Sequence, residues 1–358
     1  MSSKPRVSVV LPVFNAEHYL GEAVESLLAQ SLADFELIAI DDGSTDGSRR
    51  ILEDFAVRDR RVLLISRENR GLTATLNEGV LRAAAAYVAI MNADDMALPQ
   101  RLEKQSQFLD NHPRVAAVGS QTLFLADCAI AAPTTRLPKS PAAIRAFLKR
   151  ACAFSHPSMM FRRQAVLNAG LYRHQIAPAE DYDLWLRLSE RHDLANLPDV
   201  LLQYRLHAEQ MTANRDEAFA VGTLVAQAAH RERSAGRPDP TDDAASLSLG
   251  LIRRLGIPKT VVARQMLLMV LSRAEMLLAV TGSPALAFGG LEAIDGHWAT
   301  LEQPQLWAAC NRWLEARVAI QQGRILAAIP KLLAATAADR SLAGRLASAL
   351  ICRTVPIG

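Results

Sequence analysis

Short apolar runs alternate with amphipathic stretches through the first hundred residues. Val7–Leu11 is apolar, rich in β-branched residues and broken by Pro12, the pattern of a buried strand. Residues 17–30 carry apolar groups at Tyr19, Leu20, Val24, Leu27 and Leu28, a helical spacing. Phe35–Ile40 reads as a second strand, and it ends at Asp41-Asp42-Gly43 ahead of a helix starting near Asp46. Val62–Ile65 is a third strand, a helix covers 71–86, and Tyr87–Met91 is a fourth strand. Such alternation predicts βαβ units, hence a parallel sheet with helices on both faces. In open sheets of that kind, ligands bind beyond the carboxyl ends of the strands. Those ends are polar here: Pro12–Asn15, Asp41–Asp46 and Asn92–Asp95.

After residue 100 the pattern is mixed. Val115–Val118, Gln121–Leu125, Met159–Phe161 and Val200–Tyr204 read as strands, and Ala142–Lys149 and Asp183–Glu190 as helices. Gly236, Pro238 and Pro240 lie in a polar stretch, which predicts a linker over 232–245. Residues 246–358 are rich in Ala and Leu at helical spacing. The expected organisation is a Rossmann-like α/β domain over 1–231, a mixed but mainly parallel sheet, followed by an α-helical domain.

Composition narrows the class. The chain has 358 residues, half of them apolar and 22% charged, as in globular proteins, and it is long enough for two cores. A net charge of +3, without aromatics interleaved among the basic residues, argues against a nucleic-acid partner. The four cysteines, at 128, 152, 310 and 352, form no CxxC pair, so neither a zinc site nor a disulfide framework is expected. No signal-peptide pattern opens the chain, and the most apolar long window, Val261–Val280, is interrupted by Arg264, Arg273 and Glu275. A cytoplasmic protein is expected. Arg312, Arg317, Arg324, Lys331, Arg340 and Arg345 on the C-terminal helices leave two readings open, a packed helical domain or peripheral contact with an anionic membrane.

Four motifs carry candidate chemistry. In Asp41-Asp-Gly-Ser-Thr-Asp46, Gly43 suits a turn and Ser44 or Asp46 a helix cap, but two successive carboxylates at a strand end exceed what a turn needs. In Pro12-Val-Phe-Asn15, Asn15 could cap the next helix and Phe14 could offer its ring to a base. Asn92-Ala-Asp94-Asp95 places two acids at the mouth of a buried strand, costly without a counter-charge. Hard cations take oxygen ligands, often one or two carboxylates plus phosphate oxygens, so a metal-borne diphosphate would supply that charge. The acids of Glu180-Asp181-Tyr-Asp183 suit the positive end of a helix, and one of them could instead act as a general base.

Together these motifs resemble the inverting family 2 glycosyltransferases of the GT-A fold. The matching residues are Val9–Asn15, Asp41–Asp46, Asn69-Arg-Gly71 with Leu76-Asn77, Asn92–Asp95, His156–Arg162, Glu180–Trp185 and Tyr204-Arg-Leu-His207, over about residues 5–212. The resemblance implies a nucleotide pocket lined by Pro12, Phe14, Asn15, Asp41, Asp42 and Arg70. It implies that Asn92 and Asp94 contact the ribose side, and that Asp94 and Asp95, with His207, serve Mn2+ or Mg2+. Asp181 matches the family's catalytic base. It further implies a UDP-, GDP- or dTDP-sugar donor and a glycan or lipid-linked acceptor, as in bacterial surface polysaccharide synthesis. Asn92 departs from the family's usual Asp, and an amide is a poorer metal ligand. A nucleotidyltransferase would want a Gly-rich phosphate loop after the first strand, and Pro12–Asn15 is not one. A catalytically degenerate partner-binding scaffold would be expected to lack the acids, yet Asp42, Asp94, Asp95 and Asp181 are all present.

Overall fold

The computed structural model describes residues 4–125, 134–207, 215–247, 249–339 and 342. Two compact units emerge: 1–123, 134–205 and 225–246 form the first, and 124–133, 206–224 and 247–358 the second.

The first unit is built on an eight-stranded mixed sheet of order β3-β2-β1-β4-β7-β6-β8-β5. Its strands are β1 (Val7–Val13), β2 (Phe35–Asp41), β3 (Val62–Ser66), β4 (Tyr87–Ile90), β5 (Met96–Ala97), β6 (Val115–Leu125), β7 (Met160–Arg162) and β8 (Asp193–Arg205). Strand β1 runs parallel to β2 and β4, and β2 parallel to β3, as the βαβ pattern requires. Beyond β4 the direction reverses: β7 pairs antiparallel with β4 and β6, and β5 with β8. Helices α1 (Leu20–Leu28), α2 (Ser48–Arg58), α3 (Leu72–Arg82), α4 (Arg101–Asn111), α5 (Pro141–Leu148), α6 (Arg163–Asn168) and α7 (Glu180–Ser189) lie between the strands along the chain. Val7, Val9, Leu11, Leu20, Val24, Leu27, Leu37 and Met160 are among the residues of the core between sheet and helices.

Three boundaries differ from the sequence pattern. The two strands expected at 115–118 and 121–125 are one, because Gly119 and Ser120 continue it. At Gly119 a Cβ would lie 2.3 Å from the Asn196 Oδ1, so a larger residue would have to displace that side chain. Strand β8 starts at Asp193, seven residues before the apolar run, its polar start held by the Asp193 N–H donating to the Arg114 carbonyl (3.2 Å). Helix α7 starts at Glu180 rather than Asp183, with all three acids in its first turn.

Helix α8 (Asp216–Ser234) follows, and residues 225–246 count with the first unit. The segment expected as a linker is tied there through Asp239, which accepts from Arg173 Nη1 (2.9 Å), from Arg233, and from the Thr241 N–H (2.9 Å). Against the cost of burial, the Thr241 hydrogen bonds and the Arg173 charge hold this carboxyl well below the usual range. A depressed folded pKa means the unfolded chain binds the proton more readily. The stabilisation is therefore present above the unfolded value of about 4 and is lost as pH falls toward the folded one. Asp239→Asn should cost about 1–2 kcal/mol at pH 7. That gap from the parent, followed by urea unfolding, should narrow below about pH 4. A gap independent of pH would refute the assignment.

The second unit contains α9 (Leu249–Arg254), α10 (Lys259–Thr281), α11 (Pro284–Glu292), α12 (Trp298–Glu302), α13 (Pro304–Gln321) and α14 (Ile325–Ala338). Val261–Val280 lies within α10, whose Val262, Met266, Leu267, Val270, Leu271 and Leu278 are buried. Trp313 is fully buried and donates its Nε1–H to Glu275 (2.7 Å). Lys331 pairs with Glu315, and Arg317 lies 3.9 Å from Glu275. Two of the six basic residues that left both readings open thus meet acids within the unit, and Arg340 and Arg345 lie outside the described residues. No described helix is long and apolar enough to cross a membrane.

Candidate active site

The carboxyl ends of β1, β2 and β4 share one edge of the sheet, and each carries one of the motifs. Past β1, Asn15 takes a left-handed conformation (φ 49°), which asparagine tolerates better than most residues. It does not cap α1. Its Oδ1 accepts from the Thr45 N–H (2.8 Å), and its own N–H donates to Ser44 Oγ (3.0 Å). The first two motifs are thereby stitched together. Asp46 joins in, accepting from the N–H groups of Glu17 and Ser48 (both 3.0 Å). Phe14 is left 52% exposed, with its ring available for stacking. Pro12 is half-buried at the same edge.

Asp41 and Asp42 are both buried, and both are engaged. Asp41 accepts from the Ser44 N–H (3.0 Å) and Ser66 Oγ (2.8 Å), which fixes the turn at Gly43. That glycine has φ +79° and sits where a Cβ would be 2.7 Å from the Asn69 nitrogen. Asp42 accepts from the N–H groups of Arg70 (2.8 Å) and Gly71 (2.9 Å) and pairs with Arg67. Arg67 also holds Glu78 (2.8 Å) and Thr75 Oγ1 (2.9 Å). Asp42 therefore shapes the 67–71 loop from within, while the Arg70 side chain is exposed at that loop. Sequence reasoning missed Arg67, because an arginine just past a strand looks like an ordinary solvated residue.

The acidic turn after β4 is divided. Asp94 is half-buried and Asp95 is 1% exposed. Asp95 accepts from the Arg205 N–H (3.0 Å) and from Asn92 Nδ2 (3.1 Å). Burial, and then the charge of Asp94, push the Asp95 carboxyl well above the usual range, against those hydrogen bonds and the charge of Arg101. Arg205 closes the turn from β8. Its Nε donates to the Asp94 carbonyl (3.2 Å), its guanidinium pairs with Glu22, and it lies over the Tyr19 ring at 4.7 Å. Asn92 thus orients Asp95. Two repelling carboxylates, one buried, suit a hard divalent cation whose other ligands come from phosphate. Among the described residues no three His, Cys, Asp or Glu side chains converge on a metal position. His207 belongs to the second unit, two residues past Arg205.

The fourth motif sits at the start of α7. Asp181 is half-buried, with Oδ1 accepting from the Tyr182 N–H (2.6 Å). Its charge acts on three neighbours, Cys152, His156 and Tyr172. Burial pushes the Cys152 thiol and the Tyr172 phenol well up and pulls His156 down, with Asp181 opposing the fall at the histidine. The His156 Nε2 is 3.1 Å from the Tyr172 hydroxyl. Asn77 clasps the Tyr172 backbone, donating to its carbonyl and accepting from its N–H (both 2.9 Å). The turn His156–Ser158 leads into β7, and the Ile90 N–H donates to the Met159 carbonyl (2.9 Å). The turn headed by His156, whose ring feels the Asp181 charge, thus joins the end of β4 just ahead of the acidic turn. Glu180 and Asp183 are buried, and Asp183 is wholly engaged by Arg173 (2.9 Å) and Arg187 (2.9 Å).

A parallel sheet with acids at its carboxyl edge, continued by antiparallel strands and an acid-headed helix, is the layout of a GT-A glycosyltransferase. The profile of Glycosyl transferase family 2 matches residues 8–171. The amylovoran biosynthesis glycosyltransferase AmsE of Erwinia amylovora is 34% identical over 212 residues, covering 58% of this chain and 79% of AmsE. The chain belongs to glycosyl transferase family 2. Two solved structures share its fold. S. aureus TarS 1–349 in complex with UDP-GlcNAc has a TM-score of 0.55 at 15% identity, covering 95% of this chain and 92% of TarS 1–349. The mannosyltransferase PcManGT of Pyrobaculum calidifontis, in complex with GDP-Man and Mn2+, has a TM-score of 0.52 at 19% identity, covering 93% and 88%.

Proposed function

We propose that this glycosyltransferase moves a sugar from a UDP-, GDP- or dTDP-sugar to a hydroxyl of a glycan or lipid-linked acceptor, with inversion at the anomeric carbon. The observation that carries the reading is the acidic turn, where a buried carboxylate is held against a second acid at the carboxyl edge of the parallel strands. Phe14 would stack on the base, and Pro12 and Asn15 would shape the same pocket. Arg70 would stand beside the nucleotide on the loop that Asp42 fixes. Asp94 and Asp95 would hold Mn2+ or Mg2+, which when bound neutralises charge on the departing diphosphate. Asp181 takes the acceptor hydroxyl proton as that oxygen bonds the anomeric carbon. The bond from that carbon to the diphosphate oxygen breaks in the same displacement, and the nucleoside diphosphate leaves with the electron pair. The complex of PcManGT with GDP-Man and Mn2+ and that of TarS with UDP-GlcNAc support the donor class. The name of AmsE supports a polysaccharide acceptor.

Thermal-shift titration with UDP, GDP and dTDP, each with and without Mn2+, tests this. One nucleotide should raise Tm in a Mn2+-dependent way, and Asp94→Ala and Asp95→Ala should each remove the metal-dependent part of the shift. If no nucleotide gives a Mn2+-dependent shift and no donor is hydrolysed, a catalytically inactive scaffold is the better description.

A further inference from the structure

Arg101 heads α4 and is fully buried, an uncommon place for a guanidinium. It makes no direct ion pair among the described residues. Its Nη2 donates to the Ile90 carbonyl (2.7 Å) and reaches the Met159 carbonyl at 3.4 Å. Its Nη1 is 3.3 Å from Met91 Sδ, and its Nε donates to Gln105 Oε1 (3.2 Å). Gln105, one turn along α4, donates in turn to the carbonyls of Ser158 (2.7 Å) and Val118 (3.1 Å). The Arg101–Gln105 pair thus grips the end of β4, from which the acidic turn springs, and the 158–159 carbonyls that close the His156 turn. The acid its charge meets is Asp95, and burial lowers the guanidinium to about 10, so the group stays charged at neutral pH.

A buried arginine held mainly by carbonyls is a poor device for stability alone, since an apolar side chain of like volume often does as well. Its contacts instead lie at the root of each motif, the end of β4 before the acidic turn and Met159 after the His156 turn. We propose that Arg101 is a positioning residue for sugar transfer: it fixes the carboxylates that face the metal and diphosphate relative to the turn beside the base. The inference rests on the reading given under Proposed function and adds a residue that touches neither donor nor acceptor.

Arg101→Met and Arg101→Lys test it in the full chain. The readouts are Mn2+ affinity in the presence of UDP or GDP, taken from the electron paramagnetic resonance signal of free Mn2+, together with kcat and KM for donor hydrolysis. Supporting groups of this kind typically change metal affinity by about 10–100-fold. Arg101→Met should weaken Mn2+ binding by at least ~10-fold. Arg101→Lys keeps the charge but not the fork, so it should restore affinity to within about 3-fold of the parent. It should still lower kcat by about 10-fold at unchanged donor KM, because carboxylates and base are no longer in register. Should Arg101→Met not fold, the kcat-against-KM split of Arg101→Lys decides. Parent-like Mn2+ affinity in a folded Arg101→Met, or parent-like kcat in Arg101→Lys, overturns the positioning role and leaves the site reading standing. Absence of Mn2+ and nucleotide binding in the parent itself overturns both.

Discussion

Asp181→Asn is expected to lower transfer by about 10²–10⁴-fold, the usual contribution of general base catalysis, while nucleotide and Mn2+ binding stay close to the parent. The change keeps the size of the side chain and the Oδ1 that accepts from the Tyr182 N–H at 2.6 Å. What it removes is the basic lone pair and the negative charge at the head of α7. The three groups its charge acts on are poor substitutes. Burial holds the Cys152 thiol and the Tyr172 phenol protonated, and makes His156 a weaker base than usual. Loss of the Asp181 charge lowers the basicity of His156 further, since that charge is what opposes the fall. Donor hydrolysis by water, measured with the nucleotide sugar that shows Mn2+-dependent binding, gives the rate without a known acceptor. Transfer within about 3-fold of the parent would move the base elsewhere. A parallel loss of nucleotide binding would show that Asp181 organises the donor pocket instead.

Much of this site was legible in the sequence because strand ends punctuate it. Each of β1, β2 and β4 is an apolar run that stops at a polar motif, and parallel pairing then brings those stops to one edge. The roles of individual acids were less legible, because an acid's partners are set by tertiary contacts. Asp42 and Asp95 look alike in the sequence. In the fold, Asp42 is met by Arg67 and two backbone N–H groups, whereas Asp95 faces a second carboxylate and a buried arginine at a distance. Asn92, expected at the ribose, also donates to Asp95, a link that only the fold reveals. The arginines were the main omission. Arg101 begins an element, Arg205 ends one and Arg67 lies just past one, places where a charged residue usually meets solvent. Tyr204-Arg-Leu-His207 did mark Arg205 as part of a motif. Nothing in the sequence distinguishes the buried Arg101 from the exposed Arg114.

Asp183 illustrates the same difficulty with a larger consequence, since the sequence groups it with Asp181 as one more acid in a first turn. Asp183→Ala should destabilise the first unit by about 3–5 kcal/mol, the usual cost of removing one partner from a buried ion pair. The carboxylate is fully buried and accepts from Arg173 Nε and Arg187 Nε at 2.9 Å each. Both guanidiniums are themselves nearly buried, with side chains 12% and 9% exposed, so the variant would leave Arg173 with Asp239 and leave Arg187 with backbone carbonyls only. Arg187 carries the effect toward the active site. Its Nη2 donates to the Leu171 carbonyl (2.7 Å), and Leu171 is held at φ 62°, a left-handed conformation that costs a leucine strain. The next residue is Tyr172, whose hydroxyl meets His156 beside Asp181. Loosening Arg187 therefore frees the backbone that presents Tyr172, so the surviving folded fraction should also show a reduced kcat. Asp193→Ala is the control, because Asp193 meets Arg145 (3.1 Å) and Arg114 (3.8 Å) only where those arginines are 50% and 90% exposed. Exposed pairs of that sort are worth about 0–1 kcal/mol. Urea unfolding of the two variants decides between the readings. If Asp183→Ala costs no more than Asp193→Ala, the buried cluster contributes little to stability, and the acids of α7 act chiefly through the helix end.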